Sequence, residues 1–164
     1  MSNPSANLFS GLVELFEGEV LGEVFFDKML SQYDQPHQQY KLASLLQLET
    51  ETKARLRAVM FSLGLDLRES QEPRQKALEL AASFEGLSWE QFLGSLNEIL
   101  QPFVARYREL ADAAPTNHED IYRSMVDHEE SLLSFTALEL AGDTEHSLDA
   151  VISQLNYPLP KPTF

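Results

Sequence analysis

Apolar residues recur at three- and four-residue intervals through four long stretches of this chain, while strand-like alternation is nearly absent and β-branched residues are scarce. That periodicity restricts the chain to helices packed on helices. The stops between the stretches are equally clear. A first helix is predicted from about Ser5 to Tyr33, closed by Asp34-Gln35-Pro36. A second begins at Pro36, a residue suited to a first helical turn, and ends at Gly64, a natural left-handed terminator. Residues 65–87 form a long connection with a short helix from about Pro73 to Phe84. Ser88 and Gln91 make a capping box for a helix running to about Ala113, in which Pro102 predicts a kink. Asn117 is placed to cap a helix ending at Gly142, with Asp120 at the reciprocal position.

Four helices of ~25 residues, each about 38 Å long, make an all-α four-helix bundle. The expected organisation is a single domain, 1–164. It comprises the bundle over 5–141, a short C-terminal helix over 144–155 and a proline-rich extended tail over 156–164. The long connection is able to run back along the bundle, which would set the second and third long helices parallel.

Composition narrows the chemistry. With no cysteine there is no disulfide scaffold, thiolate metal site or cysteine nucleophile. A content of 43% hydrophobic and 23% charged residues argues against a wholly disordered chain. The net charge of −14 argues against a nucleic-acid backbone or an anionic membrane as the main partner. No apolar run approaches the ~20 residues that span a bilayer. The stretch Met1–Asn7 has no basic, then apolar, signal pattern, so a cytoplasmic protein is the expectation. The acidity is uneven: residues 1–27 carry five acids and no base, and residues 109–160 carry eleven acids and one base. Most of these acids suit a solvated surface, and a basic protein partner is the sharper reading of the same charge. A homodimer through one long helix face is common for such bundles.

Three of the four apolar seams are interrupted halfway along. The first helix reads Leu8, Leu12, Leu15, Glu19, Gly22, Phe26, Met29. The second reads Leu42, Leu45, Glu49, Thr52, Leu56, Val59, Leu63, and the last long helix Ile121, Met125, His128, Leu132, Phe135. The third reads Trp89, Phe92, Leu96, Ile99, Phe103, Tyr107, with no ionisable residue before Tyr107. A bare buried carboxylate is expensive, so Glu19, Glu49 and His128 should meet one another or a shared ligand. Two carboxylates and an imidazole suit a divalent ion such as iron, manganese or zinc. They equally suit a metal-free network, with protonated His128 between two carboxylates and Thr52 donating a hydrogen bond. Glu23, one turn beyond Glu19, and Glu129, beside His128, are supporting or outward-facing neighbours. Gly18 and Gly22 either open space beside Glu19 or permit close helix packing.

This arrangement resembles the ferritin-like superfamily of di-metal carboxylate bundles. Those bundles place one Glu on each of two helices and a Glu-x-x-His pair on each of the other two. The resemblance covers about residues 5–141 and implies an up-down-down-up bundle with a long crossover. Glu19 matches the first-helix carboxylate. In Glu49-Thr50-Glu51-Thr52, Thr52 stands where the His would be. In Met125-Val126-Asp127-His128, Met125 stands where the Glu would be. Glu98 on the third helix lies off its seam. At most three of six ligands survive, so the resemblance implies a reduced metal site, with redox chemistry as its expected use. The alternative is a metal-free bundle serving a structural, small-ligand-binding or protein-interaction role. Catalytic residues are not assignable from these patterns, and no Gly-rich phosphate loop or nucleophile elbow is present.

Overall fold

The computed structural model describes residues 4–163, most of which are helical, with no strand among them. Helix α1 spans Pro4–Met29, α2 Pro36–Ser62, α3 Gln71–Ser83, α4 Trp89–Asp112, α5 Glu119–Leu140 and α6 Asp149–Ile152. Residues 1–3, the start of the expected leaderless N-terminus, and Phe164, the end of the expected extended tail, lie outside the described residues. No described helix is long and apolar enough to cross a membrane.

The helix ends follow local chemistry. Gly64, at φ +70°, terminates α2: its N–H donates to the Phe61 carbonyl and the Leu65 N–H to the Met60 carbonyl. This is the Schellman pattern, which needs a left-handed residue. The same two bonds recur at Gly142, from its own N–H to Glu139 and from Asp143 to Leu138. Ser88 and Gln91 form both halves of the capping box at the start of α4. That helix continues through Pro102 as one element.

Three boundaries differ from expectation. α1 stops at Met29 rather than Tyr33, because its last turn tightens: Ser31 donates to Lys28 and Gln32 to Met29. Asn117 does not cap α5. Pro115 fixes an extended backbone and its carbonyl accepts from the His118 N–H, so Thr116–His118 forms a 3₁₀ turn and α5 follows it. The predicted helix over 144–155 is reduced to one turn, Asp149–Ile152. Side-chain bonds hold the preceding residues in turns instead: Ser147 donates to Glu139 and Thr144, and His146 pairs with Asp143.

The core consists of two apolar clusters. One gathers Leu8, Leu12 and Leu15 of α1 with Leu56 and Met60 of α2, Tyr107 and Ala111 of α4, and Tyr122 and Met125 of α5. The other gathers Phe25, Phe26 and Met29 with Leu42, Leu45 and Leu48, Phe92, Leu96 and Leu100, and Leu132 and Phe135. Going from N- to C-terminus, α1 and α5 pass from the first cluster to the second, and α2 and α4 pass from the second to the first. α3, inside the long connection, packs along α1 and buries Pro73, Ala77 and Ala81. The α4 seam departs from its predicted series beyond Leu96: it continues through Leu100 and Val104, leaving Ile99 and Phe103 half-buried.

The second cluster carries most of the aromatic packing. Phe92 is fully buried, with ring centroids 5.3 Å from Tyr33, 5.8 Å from Phe84 and 5.1 Å from Trp89. Removing so much shape from a closed site leaves a cavity. Phe92→Ala should lower unfolding free energy by about 3–5 kcal/mol, read from urea denaturation, whereas exposed Phe61→Ala should change it by under about 0.5 kcal/mol.

Candidate functional site

Between the two apolar clusters lies one polar layer. Glu19 and His128 are fully inaccessible, and Thr52, Glu49 and Glu129 are buried with them. The three-four seams of α1, α2 and α5 put these groups at one depth, because each helix crosses the core at mid-length there.

His128 is central. Its Nε2 lies 3.4 Å from Glu19 Oε2, 3.5 Å from Glu49 Oε2 and 3.8 Å from Glu129 Oε1. Its other ring nitrogen, Nδ1, lies 3.1 Å from Thr52 Oγ1. One ligand atom from each of Glu19, His128 and Glu129 lies within 4.8 Å of the other two. Both Glu19 carboxyl oxygens, Glu129 Oε2, His128 Nε2 and the Tyr107 hydroxyl are buried with no hydrogen-bond partner among the described residues. Buried polar atoms in native cores are nearly always satisfied, and a proton held by Glu19 would let its carboxyl pair with the adjoining Glu49.

Two glycines make the layer possible. A Cβ on Gly22 would sit 2.5–2.7 Å from the Glu49 carboxylate atoms. A Cβ on Gly18 would collide with the Tyr107 hydroxyl. Each glycine on α1 therefore gives room to a polar group from a neighbouring helix. Both sequence readings of these glycines have a counterpart: neighbouring side chains approach them closely, and they line a space of about 40 Å³ beside Glu49 and Glu129.

The electrostatics follow from burial. Desolvation, reinforced by the neighbouring Glu49 carboxylate, holds the Glu19 carboxyl well above the usual carboxylate range. Burial pushes Glu129 up to about 8, against the opposing pull of His128. For His128, burial acts to lower the pKa, but Glu49 and Glu129 outweigh it and the net direction is upward. Burial and the same carboxylates raise Tyr107, which therefore stays a phenol.

The residues expected at the site divide clearly. Glu19, Glu49 and His128 converge, and Thr52 touches His128. Glu129 is a full member of the cluster. Its signal was present: Met125-Glu129-Leu132 satisfies the same spacing as Met125-His128-Leu132. Glu23 takes no part. It faces outward, accepting from Lys53 Nζ at 2.7 Å and Thr50 Oγ1 at 2.8 Å. Met125 lies fully buried in the first apolar cluster, one turn before His128. Tyr107, which reads as an ordinary seam aromatic, is an unanticipated neighbour of the layer.

A pH dependence follows. Glu129, Glu19 and His128 all have folded-state pKa values raised above their unfolded values. Between those values the folded chain binds more protons than the unfolded one, so stability falls as pH rises. Metal-free protein should lose several kcal/mol of unfolding free energy between about pH 5 and about pH 8.5, measured by urea denaturation across that range. A flat profile over that window would show that these carboxyls are not held as described. Comparison of the chain with protein-family models, with curated proteins and with solved structures finds no match.

Proposed function

We propose that this chain is a ferritin-like helical bundle that binds a divalent transition metal, iron, manganese or zinc, between Glu19, Glu49, Glu129 and His128. The observation that carries the reading is the set of orphaned donor atoms around His128 Nε2. Ligands held about 2.0–2.2 Å from one ion at tetrahedral angles lie roughly 3.4 Å apart. The separations of 3.4, 3.5 and 3.8 Å from Nε2 to three carboxylates match that spacing. They are longer than the ~2.7–2.9 Å of a direct charge-assisted hydrogen bond. The sense of the four long helices, up-down-down-up with α3 in the crossover, also supports the ferritin-like reading.

In this reading each group has a task. With Thr52 Oγ1 accepting from Nδ1–H of His128, the ring would turn the Nε2 lone pair toward the carboxylates; the 3.1 Å contact supports that arrangement. The carboxylates supply the negative charge that a cation needs, and the cation removes the reason for their protonation. The apolar clusters on both sides exclude water. A bound iron or manganese would supply one-electron redox chemistry, and a bound zinc Lewis acidity. Redox use is the reading we favour, and it rests on the resemblance to the fold alone.

The test is metal uptake by chelator-treated protein at pH 7.5, followed by elemental analysis and thermal unfolding. Wild type should retain stoichiometric metal and gain about 3 kcal/mol at free metal near 100-fold above Kd. Glu19→Gln and His128→Ala should lose the metal, while outward-facing Glu23→Gln should keep it. Glu19→Gln should also stabilise the metal-free protein, because a neutral amide needs no proton to be buried. Protein that takes up none of the three metals, with unmoved unfolding, would instead support the metal-free structural or binding bundle.

A further inference from the structure

The proline-rich segment over 156–163 has one anchor. The backbone N–H groups of Asn156 and Tyr157 donate to the Glu51 carboxylate of α2 at 2.6 and 2.8 Å, and Asn156 Nδ2 donates to the same group at 3.0 Å. Among the described residues, no other hydrogen bond ties 156–163 to the bundle. Pro158, Pro160 and Pro162 have no N–H to offer. Burial acts to raise the Glu51 pKa, but these bonds, with one from Gln47, outweigh it and the net direction is downward. At neutral pH the anchor is therefore an ionised carboxylate, an acceptor of charge-assisted bonds.

Beyond the anchor the segment lies on the bundle by one face. Leu159 and Pro162, three residues apart, are half-buried, whereas Pro158, Pro160 and Lys161 are exposed. A three-residue repeat is that of the polyproline II conformation. Lys161 and Pro162 form part of the wall of a cavity of about 730 Å³. Its other walls include Tyr40 near the start of α2, Trp89 at the start of α4 and Leu148 just before α6. The reach agrees with this path. From Tyr157 to Pro162 an extended segment spans about 16 Å. From Glu51 back to Tyr40 the helix spans about 16 Å. A segment anchored at Glu51 and extended along α2 thus arrives at the cavity.

We propose that residues 156–163 are a strap that gates this cavity, with Glu51 as the latch. The bonds at Asn156 and Tyr157 hold the strap against the cavity. Losing them frees the whole segment at once, because nothing beyond Tyr157 is hydrogen-bonded to the bundle. The preceding turn stays in place, since Val151 is fully buried and Leu155 packs on the second apolar cluster. The strap therefore swings from the junction of Leu155 and Asn156. The polar layer and any metal there take no part in it.

Trp89 is the chain's only tryptophan and lines the cavity, so its fluorescence reports access. The probe is acrylamide, a small neutral quencher, added to the full chain. In Glu51→Ala the Stern–Volmer constant of Trp89 should rise about twofold over wild type, through a local opening that leaves the bundle folded. Glu51→Gln, which keeps an acceptor oxygen without the charge, should fall between the two. Amide hydrogen exchange on the same proteins reads the latch itself. The Asn156 and Tyr157 amides should be protected in wild type and exchange about tenfold faster in Glu51→Ala, while the Leu45 and Leu96 amides keep their rates. Unprotected Asn156 and Tyr157 amides in wild type would remove the latch. Released amides with unchanged Trp89 quenching would show that the segment does not gate the cavity. Faster exchange at Leu45 and Leu96 in both variants would turn the Trp89 change into a loosening of the bundle. Each of these three results would overturn the proposal.

Discussion

Three carboxyl groups and an imidazole sit between two apolar clusters, out of reach of water, and much of the bundle is arranged around that burial. An ionised carboxylate in such a place costs several kcal/mol unless it is paired or protonated. The protein keeps its cations outside the layer. Lys53 is committed to Glu23 and Glu69, and Lys41 to Glu139 near one end of the bundle. The layer is thus held by bound protons rather than by cations, between two well-packed halves. Gly18 and Gly22 on α1 are the positions where that arrangement required a side chain to be given up.

The same constraint links stability to chemistry. Protons and a divalent cation compete for the same carboxyl oxygens, so conditions that deprotonate the layer favour the cation and destabilise the chain without it. A structural polar network would be expected to close its own hydrogen bonds. Here Thr52 meets the ring nitrogen that faces away from the carboxylates, at 3.1 Å, while the Glu19 and Glu49 carboxyls adjoin one another on the other side. On the other side, Nε2 lies 3.4–3.8 Å from one oxygen of each of the three carboxyl groups.

Much of this was legible in the residues. Leu12, Leu15, Leu42, Leu45, Leu132 and Phe135 mark their helices by spacing alone, and the interruptions at Glu19, Glu49 and His128 mark the depth of the layer. Glu129 reads from the sequence as a supporting or outward-facing neighbour rather than a direct member because α5 is buried on two sides, by α2 and α4, and a single three-four stripe describes only one of them. Tyr107 was missed because an aromatic on a seam carries no sign of whether its hydroxyl is met. Only the glycine opposite it, on another helix, decides that. The α4 seam moved to Leu100 and Val104 because helix rotation beyond Leu96 depends on neighbours that one helix's spacing does not encode. The C-terminal helix shortened because Ser147 and His146 found side-chain partners that compete with helical backbone bonds.

In the proposed reading, His128 and the carboxylates around it share one metal ion. X-ray absorption at the metal edge of protein loaded with stoichiometric zinc tests it most directly. The expected result is a nearest shell of nitrogen and oxygen at about 2.0–2.2 Å, with the outer scattering of one imidazole. That scattering should vanish in His128→Ala. A shell of oxygen alone with no imidazole signal, or one unchanged by His128→Ala, would contradict the account and place the metal elsewhere on this acidic chain.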